Sequence, residues 1–329
     1  MRNALKSPSN RIYVNLTFQC NKNCNYCYTK IQRKANPNIT LPQFANLLKW
    51  LGEQGIQSVV LTGGEPTQHP QFSQLLQLMR KNDFKVSILT NGIFKSKLLE
   101  TSDSEIIRSY QIHYMLPDDY TNEEKKILET NLRNIRDKTN QVAIRHNIQA
   151  TNTPYDHIID VCTKYDIKFL SISLLTPNSS GTNFFIHFKE LEKFKLHMLN
   201  LIQDASENGI KPVHTGTKLP LCLFTREERR ILIKKAQIQW ICSAGSNTFS
   251  LNPDLSVNPC PFFNDIQLPN ILQYPTISDV RNVFSDAMEK LKWNDFITED
   301  CKSCIYRIRK MCQGGCLTYK FLKNGQMPY

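Results

Sequence analysis

Nowhere does this chain of 329 residues approach the roughly 18 consecutive apolar residues that a membrane-spanning helix needs. Its opening, MRNALKSPSNRIYVNLTFQ, has no apolar stretch long enough for the core of a signal peptide. Export is therefore not expected, and the cytoplasm is the expected location. No internal repeat and no low-complexity tract interrupts the sequence. A disulfide scaffold is excluded on the same ground: the 11 cysteines accompany no export signal, and a reducing compartment leaves thiols free for metal or redox chemistry. Negative charge is scarce, with 29 Asp and Glu against 41 Lys and Arg, a net charge of +12. That balance suits an acidic partner, such as an acidic peptide or nucleic acid, or simply a solvated basic surface. The densest basic stretch, Arg226, Arg229, Arg230, Lys234 and Lys235, lacks the aromatic interleaving of a single-strand stacking platform, so nucleic acid is not the expected partner. Ile231, Leu232 and Ile233 of that stretch are expected to face inward on a helix.

What the chain has in quantity is β-rich runs alternating with amphipathic helices, from about residue 11 to 210, the pattern of βα units around a parallel sheet. Ile12 to Leu16, Ser58 to Thr62, Lys85 to Thr90, Gln111 to Leu116, Val142 to Ile148 and Phe169 to Leu174 read as strands. A capping box at Thr40 to Gln43, with Pro42 in the first turn, opens a helix carrying Phe44, Leu47, Leu48 and Leu51 on one face. Phe72, Leu75, Leu76 and Met79 repeat that spacing, and a second box at Thr121 to Glu124 precedes Leu128, Leu132 and Ile135. A long helix from about Phe188 to Asn208 ends at Gly209, after which Pro212, Gly216 and Pro220 break the alternation. The expected division is 1–211 for an α/β barrel and 212–329 for an irregular segment holding seven of the cysteines. Cys162 shares a helical face with Ile158, Ile159 and Tyr165 and is expected in the core.

Directly after the first strand comes Cys20-Asn21-Lys22-Asn23-Cys24-Asn25-Tyr26-Cys27, a loop at a strand's C-terminal end, where α/β barrels keep their chemistry. Three thiolates on one tight loop can each take an iron of a [4Fe–4S] cube, leaving the last iron open to something other than protein. Zinc would need a fourth ligand, and the nearest downstream histidine is His69. With aromatic Tyr26 before its last cysteine, the CxxxCxxC triplet resembles the defining motif of the radical S-adenosylmethionine superfamily. The resemblance covers about residues 8 to 210 and implies a partial (β/α)6 TIM-type barrel. It also implies roles for further motifs: Gly63-Gly64-Glu65-Pro66 would approach the cofactor's amino group, and Thr90-Asn91-Gly92 would contact its ribose or carboxylate. Arg145 and Asn147, alternate residues of the fifth strand, share one face, where the arginine could pair with the cofactor carboxylate. The fourth strand offers His113, with Asp118 and Asp119 just beyond its end. Leu174-Leu175-Thr176-Pro177, leading to Gly181, is similar to the segment that packs on adenine.

Beyond the barrel, Cys301-x2-Cys304-x7-Cys312-x3-Cys316, preceded by Cys222, Cys242 and Cys260, resembles the SPASM or twitch extension that binds one or two auxiliary [4Fe–4S] clusters. The match departs in three ways. The gap from Cys304 to Cys312 is long, Leu317 to Tyr329 contains no cysteine, and Leu255 stands where a glycine is typical. Two closed clusters would need eight thiolates, and seven are present. By resemblance, Cys222, Cys242, Cys260 and Cys316 would hold one cluster and Cys301, Cys304 and Cys312 a second, or Cys242, Cys260, Cys301 and Cys304 a single one. Cys222 could instead serve as a hydrogen-atom donor. The implied activity is one-electron reduction of the N-terminal cluster, cleavage of S-adenosylmethionine and hydrogen abstraction by the 5′-deoxyadenosyl radical, fed by a donor such as flavodoxin or ferredoxin. The implied substrate is a ribosomal peptide or protein side chain with an acidic leader. A small molecule or an RNA is the alternative. Because the barrel begins at about residue 11, recognition is expected at its rim or through a partner protein.

Overall fold

Strands that alternate apolar and polar residues present one face to a helical layer and the other to whatever fills the barrel. The computed structural model describes residues 11–324 except 31, 36, 37, 99–104, 140, 215, 216, 237, 239 and 296; Gly216, expected as a pattern breaker, lies outside the described residues. The strands are β1 (Arg11–Thr17), β2 (Ser58–Gly63), β3 (Lys85–Thr90), β4 (Ile107–His113), β5 (Val142–Ile148), β6 (Phe169–Leu174), β7 (Lys211–His214), β8 (Thr248–Leu251) and β9 (Val257–Asn258). They form one sheet in the order β7-β6-β5-β4-β3-β2-β1-β8-β9. All neighbours are parallel except the antiparallel pair β8 and β9.

Helices α1 (Leu41–Glu53), α2 (Phe72–Lys81), α3 (Asn122–Lys138), α4 (Asp156–Lys164) and α5 (Leu191–Glu207) follow the first, second, fourth, fifth and sixth strands. The boxes at Thr40 and Thr121 both close, with each threonine accepting the N3 amide and the N3 side chain returning the bond. Under these helices Ile12, Val14 and Leu16 of β1, Ile144 and Ile148 of β5 and Ile172 of β6 are fully buried with Phe44, Leu47 and Leu75. Each such side chain contributes roughly 1.5–3 kcal/mol. Cys162 lies in this layer, buried as expected.

Four features differ from the sequence reading. β4 starts at Ile107 and ends at His113, because the next segment turns away: the Met115 amide donates to the Tyr120 hydroxyl at 2.7 Å, and Pro117 has no amide for the ladder. The long helix begins at Leu191, after a 3₁₀ turn over Phe188–Glu190. Of Ile231, Leu232 and Ile233 in α6 (Arg226–Ala236) only Leu232 is buried, with Ile231 and Ile233 41% and 59% exposed; successive residues on a helix point about 100° apart and cannot all face inward. The segment after residue 211 also holds more regular structure than expected, including α6, α7 (Ile277–Glu289), α8 (Ile305–Ile308) and α9 (Leu317–Asn324).

The sheet itself runs through the expected division. Lys211 pairs with Phe169 as the first residue of edge strand β7, where Pro212 is tolerated because an edge needs fewer amide donors. β8 then returns to pair with β1, Val14 opposite Leu251. Asn15, 2% exposed, bridges the two strands through Nδ2 to Ser250 Oγ (3.1 Å) and Asn252 Oδ1 (3.0 Å), and Asn252 donates on to Asn258. Among the described residues no helix is long and apolar enough to cross a membrane.

Candidate functional site

The inner face of the sheet is polar, and its register assembles the site. His113 of β4 sits opposite Arg145 of β5, and Asn147 opposite Ser173 of β6, so all four project from one surface of neighbouring strands. At the C-terminal ends of these strands they line a cavity of about 160 Å³ that also receives Cys20, Cys24 and Cys27.

The cysteine loop is held by close backbone approach. Gly64 N donates to Thr17 O and Glu65 N to Gln19 O, both at 2.8 Å. A Cβ on Gly64 would stand 2.0 Å from Gln19 O, and one on Gly63, at φ +127, would stand 2.2 Å from Thr17 O. The two glycines therefore admit the stem of the cysteine loop, and both also line the cavity. Glu65 is buried and clasps two strand ends, accepting from Thr67 Oγ1 (2.6 Å), Thr90 Oγ1 (2.8 Å) and Asn91 N (2.7 Å). Burial pushes its carboxyl up against the pull of those donors. Asn91 Nδ2 donates to Asn21 Oδ1 at 2.7 Å, tying the third strand's turn to the cysteine loop. Pro66 opens the short 3₁₀ turn behind Glu65 and is not among the lining residues.

Around the thiols the groups are distinct. Arg33, unnoticed in the sequence, directs Nη2 at Cys27 Sγ (3.2 Å) and Nη1 at Lys22 O (2.7 Å), and its buried Nε has no hydrogen-bond partner. Its only sequence signal was a basic residue six positions past the triplet. Met115, also missed, lies 3.8 Å from Cys24 Sγ. Burial pushes the Cys20 thiol up to about 11 and raises Cys24 as well, so ionising those two requires a cation to compensate. Tyr26 Oη and Asn147 Nδ2 both lie 3.3 Å from His113 Nε2. Burial, reinforced by Arg145, holds that histidine down at about 3 and hence neutral. Arg145 reaches Asn147 Oδ1 (3.4 Å) and Ser173 Oγ (3.3 Å), and among the described residues no carboxylate pairs with it. Leu175 lines the cavity, whereas Asp118 and Asp119 are exposed outside it. Phe262, against Tyr28 at 4.8 Å between ring centroids, brings the C-terminal region to the cavity wall.

These residues fit the group that the triplet implies. Among the described residues no three His, Cys, Asp or Glu side chains are gathered as for one metal ion, and a cube asks for one iron per thiolate rather than convergence on a point. The unsatisfied Arg33 Nε and the unpaired Arg145 supply positive charge to an anionic cluster and to a carboxylate.

Two sets of contacts involve the C-terminal cysteines. Leu221 N, adjacent to Cys222, donates to Cys312 Sγ at 3.4 Å, and Cys304 N turns back to Cys301 O at 3.4 Å. Cys242 N instead donates to Gln313 Oε1 (2.9 Å), and Gly245 N to Pro259 O (2.9 Å), which sets Cys242 beside Cys260. Leu255, where a glycine was expected, has φ +67 and keeps the left-handed turn.

Comparison with known proteins follows this geometry. Residues 14–112 match the Radical SAM superfamily. A segment of 96 residues is 30% identical to the antilisterial bacteriocin subtilosin biosynthesis protein AlbA of Bacillus subtilis, covering 29% of this chain and 20% of that protein. Another of 116 residues is 33% identical to 7-carboxy-7-deazaguanine synthase of Clostridium acetobutylicum, covering 35% and 51%. This chain thus spans about half or less of the length of both relatives. A probable GTP 3′,8-cyclase of Sulfurisphaera tokodaii is 26% identical over 78% of this chain and 82% of its own. In fold, the chain is similar to Streptococcus suis SuiB bound to precursor peptide SuiA, with a TM-score of 0.70 and 17% identity over 94% of this chain and 72% of SuiB. It is also similar to anSMEcpe with bound AdoMet, with a TM-score of 0.65 and 19% identity over 93% and 89%.

Proposed function

We propose, from the premise that this chain is a member of the radical S-adenosylmethionine superfamily with an auxiliary-cluster region, that it modifies a peptide or protein side chain by radical chemistry. The observation that carries the reading is the meeting, in one cavity, of three thiols from a single loop and an arginine without a carboxylate partner. A [4Fe–4S] cluster with bound S-adenosylmethionine supplies, when present, a carbon-centred radical by one-electron reductive cleavage. Cys20, Cys24 and Cys27 would ligate that cluster, and Arg33 would balance its charge. Arg145, held by Asn147 and Ser173, would take the carboxylate of the amino-acid end, while Glu65, Thr90 and Asn91 would serve its polar edge. His113 stays neutral and holds Tyr26 and Asn147 in place without adding a proton to the site. Leu175 and Phe262 keep water from the wall.

For the substrate, support for a peptide comes from the fold shared with SuiB, which is described as bound to a precursor peptide, from the local match to a bacteriocin biosynthesis protein, and from the +12 charge, which suits an acidic leader. The broad match to a GTP 3′,8-cyclase favours a small molecule as the second reading. A flavodoxin or ferredoxin is the proposed reductant, and the cytoplasm, where 11 thiols stay reduced, the proposed location.

The test is anaerobic incubation of the reconstituted protein with reductant and S-adenosylmethionine, alongside deuterated acidic precursor peptide or deuterated GTP. Formation of 5′-deoxyadenosine with deuterium from the peptide is expected. Deuterium from GTP alone would establish the second reading, and no cleavage at all would overturn both.

A further inference from the structure

We propose that Cys222, Cys301, Cys304 and Cys312 close one auxiliary cluster, and that Cys242, Cys260 and Cys316 hold the other by three thiolates, leaving one of its irons without a protein ligand. The inference deepens the proposed function and rests on its reading of the C-terminal cysteines as cluster ligands. It reverses the division that family resemblance implied, in which Cys222 joined Cys242, Cys260 and Cys316.

The geometry that divides them lies between Cys312 and Cys316. Gly314 and Gly315 are consecutive left-handed residues, at φ +84 and +97, a conformation in which side chains other than glycine are strained. The sharp turn sends the two cysteines into different surroundings. On one side Gly314 N donates to Cys312 Sγ at 3.3 Å, and a Cβ at Gly314 would stand 3.9 Å from Cys301 Sγ. The amide before Cys222 reaches the same Cys312 sulfur. Arg229 fixes that turn, donating Nη1 to Leu221 O at 3.3 Å while its guanidinium lies 5.0 Å over the Tyr306 ring, between Cys304 and Cys312 in the chain. Cys312 N returns to Tyr306 O at 3.2 Å, folding the long Cys304-to-Cys312 gap back on itself.

On the other side Gln313 accepts the Cys242 amide and donates Nε2 to Gly315 O at 3.0 Å, so one side chain links Cys242 to the residue before Cys316. The Cys242 loop also bonds the backbone next to Cys260. The side chain of Lys320, 1% exposed and bonded through its ammonium to the Leu291 and Lys292 carbonyls, passes the same turn as Cys301, its Cε 3.4 Å from where a Gly314 Cβ would stand, where a cluster with four thiolates would concentrate negative charge. The three-thiol set adjoins the cavity through Phe262, whose amide donates to Cys260 Sγ at 3.5 Å. Its open iron would therefore be the one placed toward substrate.

Iron counting decides the matter, because three thiolates retain a cube and two do not. The full chain with Cys20, Cys24 and Cys27 replaced by alanine, reconstituted anaerobically, should hold about eight irons. In that background Cys304→Ala should keep about eight, since three thiolates remain in each set, while Cys242→Ala should fall to about four. The reverse pattern would place Cys222 with Cys242 and overturn the division. A fall in both, or in neither, would overturn it too. Cys304→Ser and Cys242→Ser give the same readings if an alanine variant does not fold. A parent holding no iron would instead remove the reading of these cysteines as ligands. As a second measurement, isotope-labelled cyanide should bind one auxiliary cluster in the parent and two after Cys304→Ala, read by electron–nuclear double resonance, whereas the rival division would leave no open cluster in that variant.

Discussion

The two cysteine regions of this chain bring their thiols together by opposite routes. The N-terminal triplet lies within eight consecutive residues, on a loop whose stem is clamped by backbone bonds to Thr17 and Gln19. The C-terminal thiols are gathered across the chain: the contact between Leu221 and Cys312 joins residues 91 apart, and that between Cys242 and Gln313 residues 71 apart. A contiguous loop states its ligands in its spacing, whereas a gathered site states only how many it has. The first is set by local geometry, and the second by which turns the glycines permit.

Breaking the contiguous site should have the larger effect. Replacing Cys20, Cys24 and Cys27 together by alanine should abolish 5′-deoxyadenosine formation while the C-terminal irons remain, as measured by product chromatography and iron analysis. Gly64→Ala should come next, because its Cβ has no room beside the Gln19 carbonyl. Overpacking of this kind costs roughly 2–3 kcal/mol, visible in urea unfolding, with loss of the N-terminal irons. Arg145→Met should weaken S-adenosylmethionine binding about tenfold or more by calorimetry, the expected loss of a charged hydrogen bond to a carboxylate.

Acid should act on the barrel. His113 and His146, both buried and held down at about 3, stay neutral in the fold but protonate near 6.5 when unfolded. Between those values the unfolded chain binds more protons, so stability falls as pH drops below 6.5. The slope is about 1.4 kcal/mol per unit for each histidine, and His146→Leu should reduce it in pH-dependent melts. The smallest effect belongs to α6: Ile233→Ser, at a side chain 59% exposed, should change stability by less than about 0.5 kcal/mol, whereas Leu232→Ala should cost about 2–5 kcal/mol.

What the sequence revealed follows the same division between local and distant. The caps at Thr40 and Thr121 are local patterns, and they close as read. The inward pair Arg145 and Asn147 followed from a period of two. Arg33 and Met115 could not be read, because their places beside Cys27 and Cys24 depend on how a loop packs on the end of β4. The early end of β4 hid for a similar reason, since the Tyr120 hydroxyl takes the Met115 amide from seven residues beyond the strand. The box at Thr276 that opens α7 was legible in principle, Thr followed by Asp three residues later, but it lay in a segment read as irregular. The division of the seven thiols was invisible, because spacing carries no information on which side of a glycine turn a sulfur falls.

The buried amide bridge from Asn15 to Ser250 and Asn252 has a consequence for electron flow. It rivets the strand that feeds the triplet loop to the strand that follows Cys242, with ladder pairing alongside. With clusters bound at both regions as proposed, the gap between those redox centres would be fixed by the sheet rather than by a swinging linker. Tunnelling across such a gap should be indifferent to solvent viscosity.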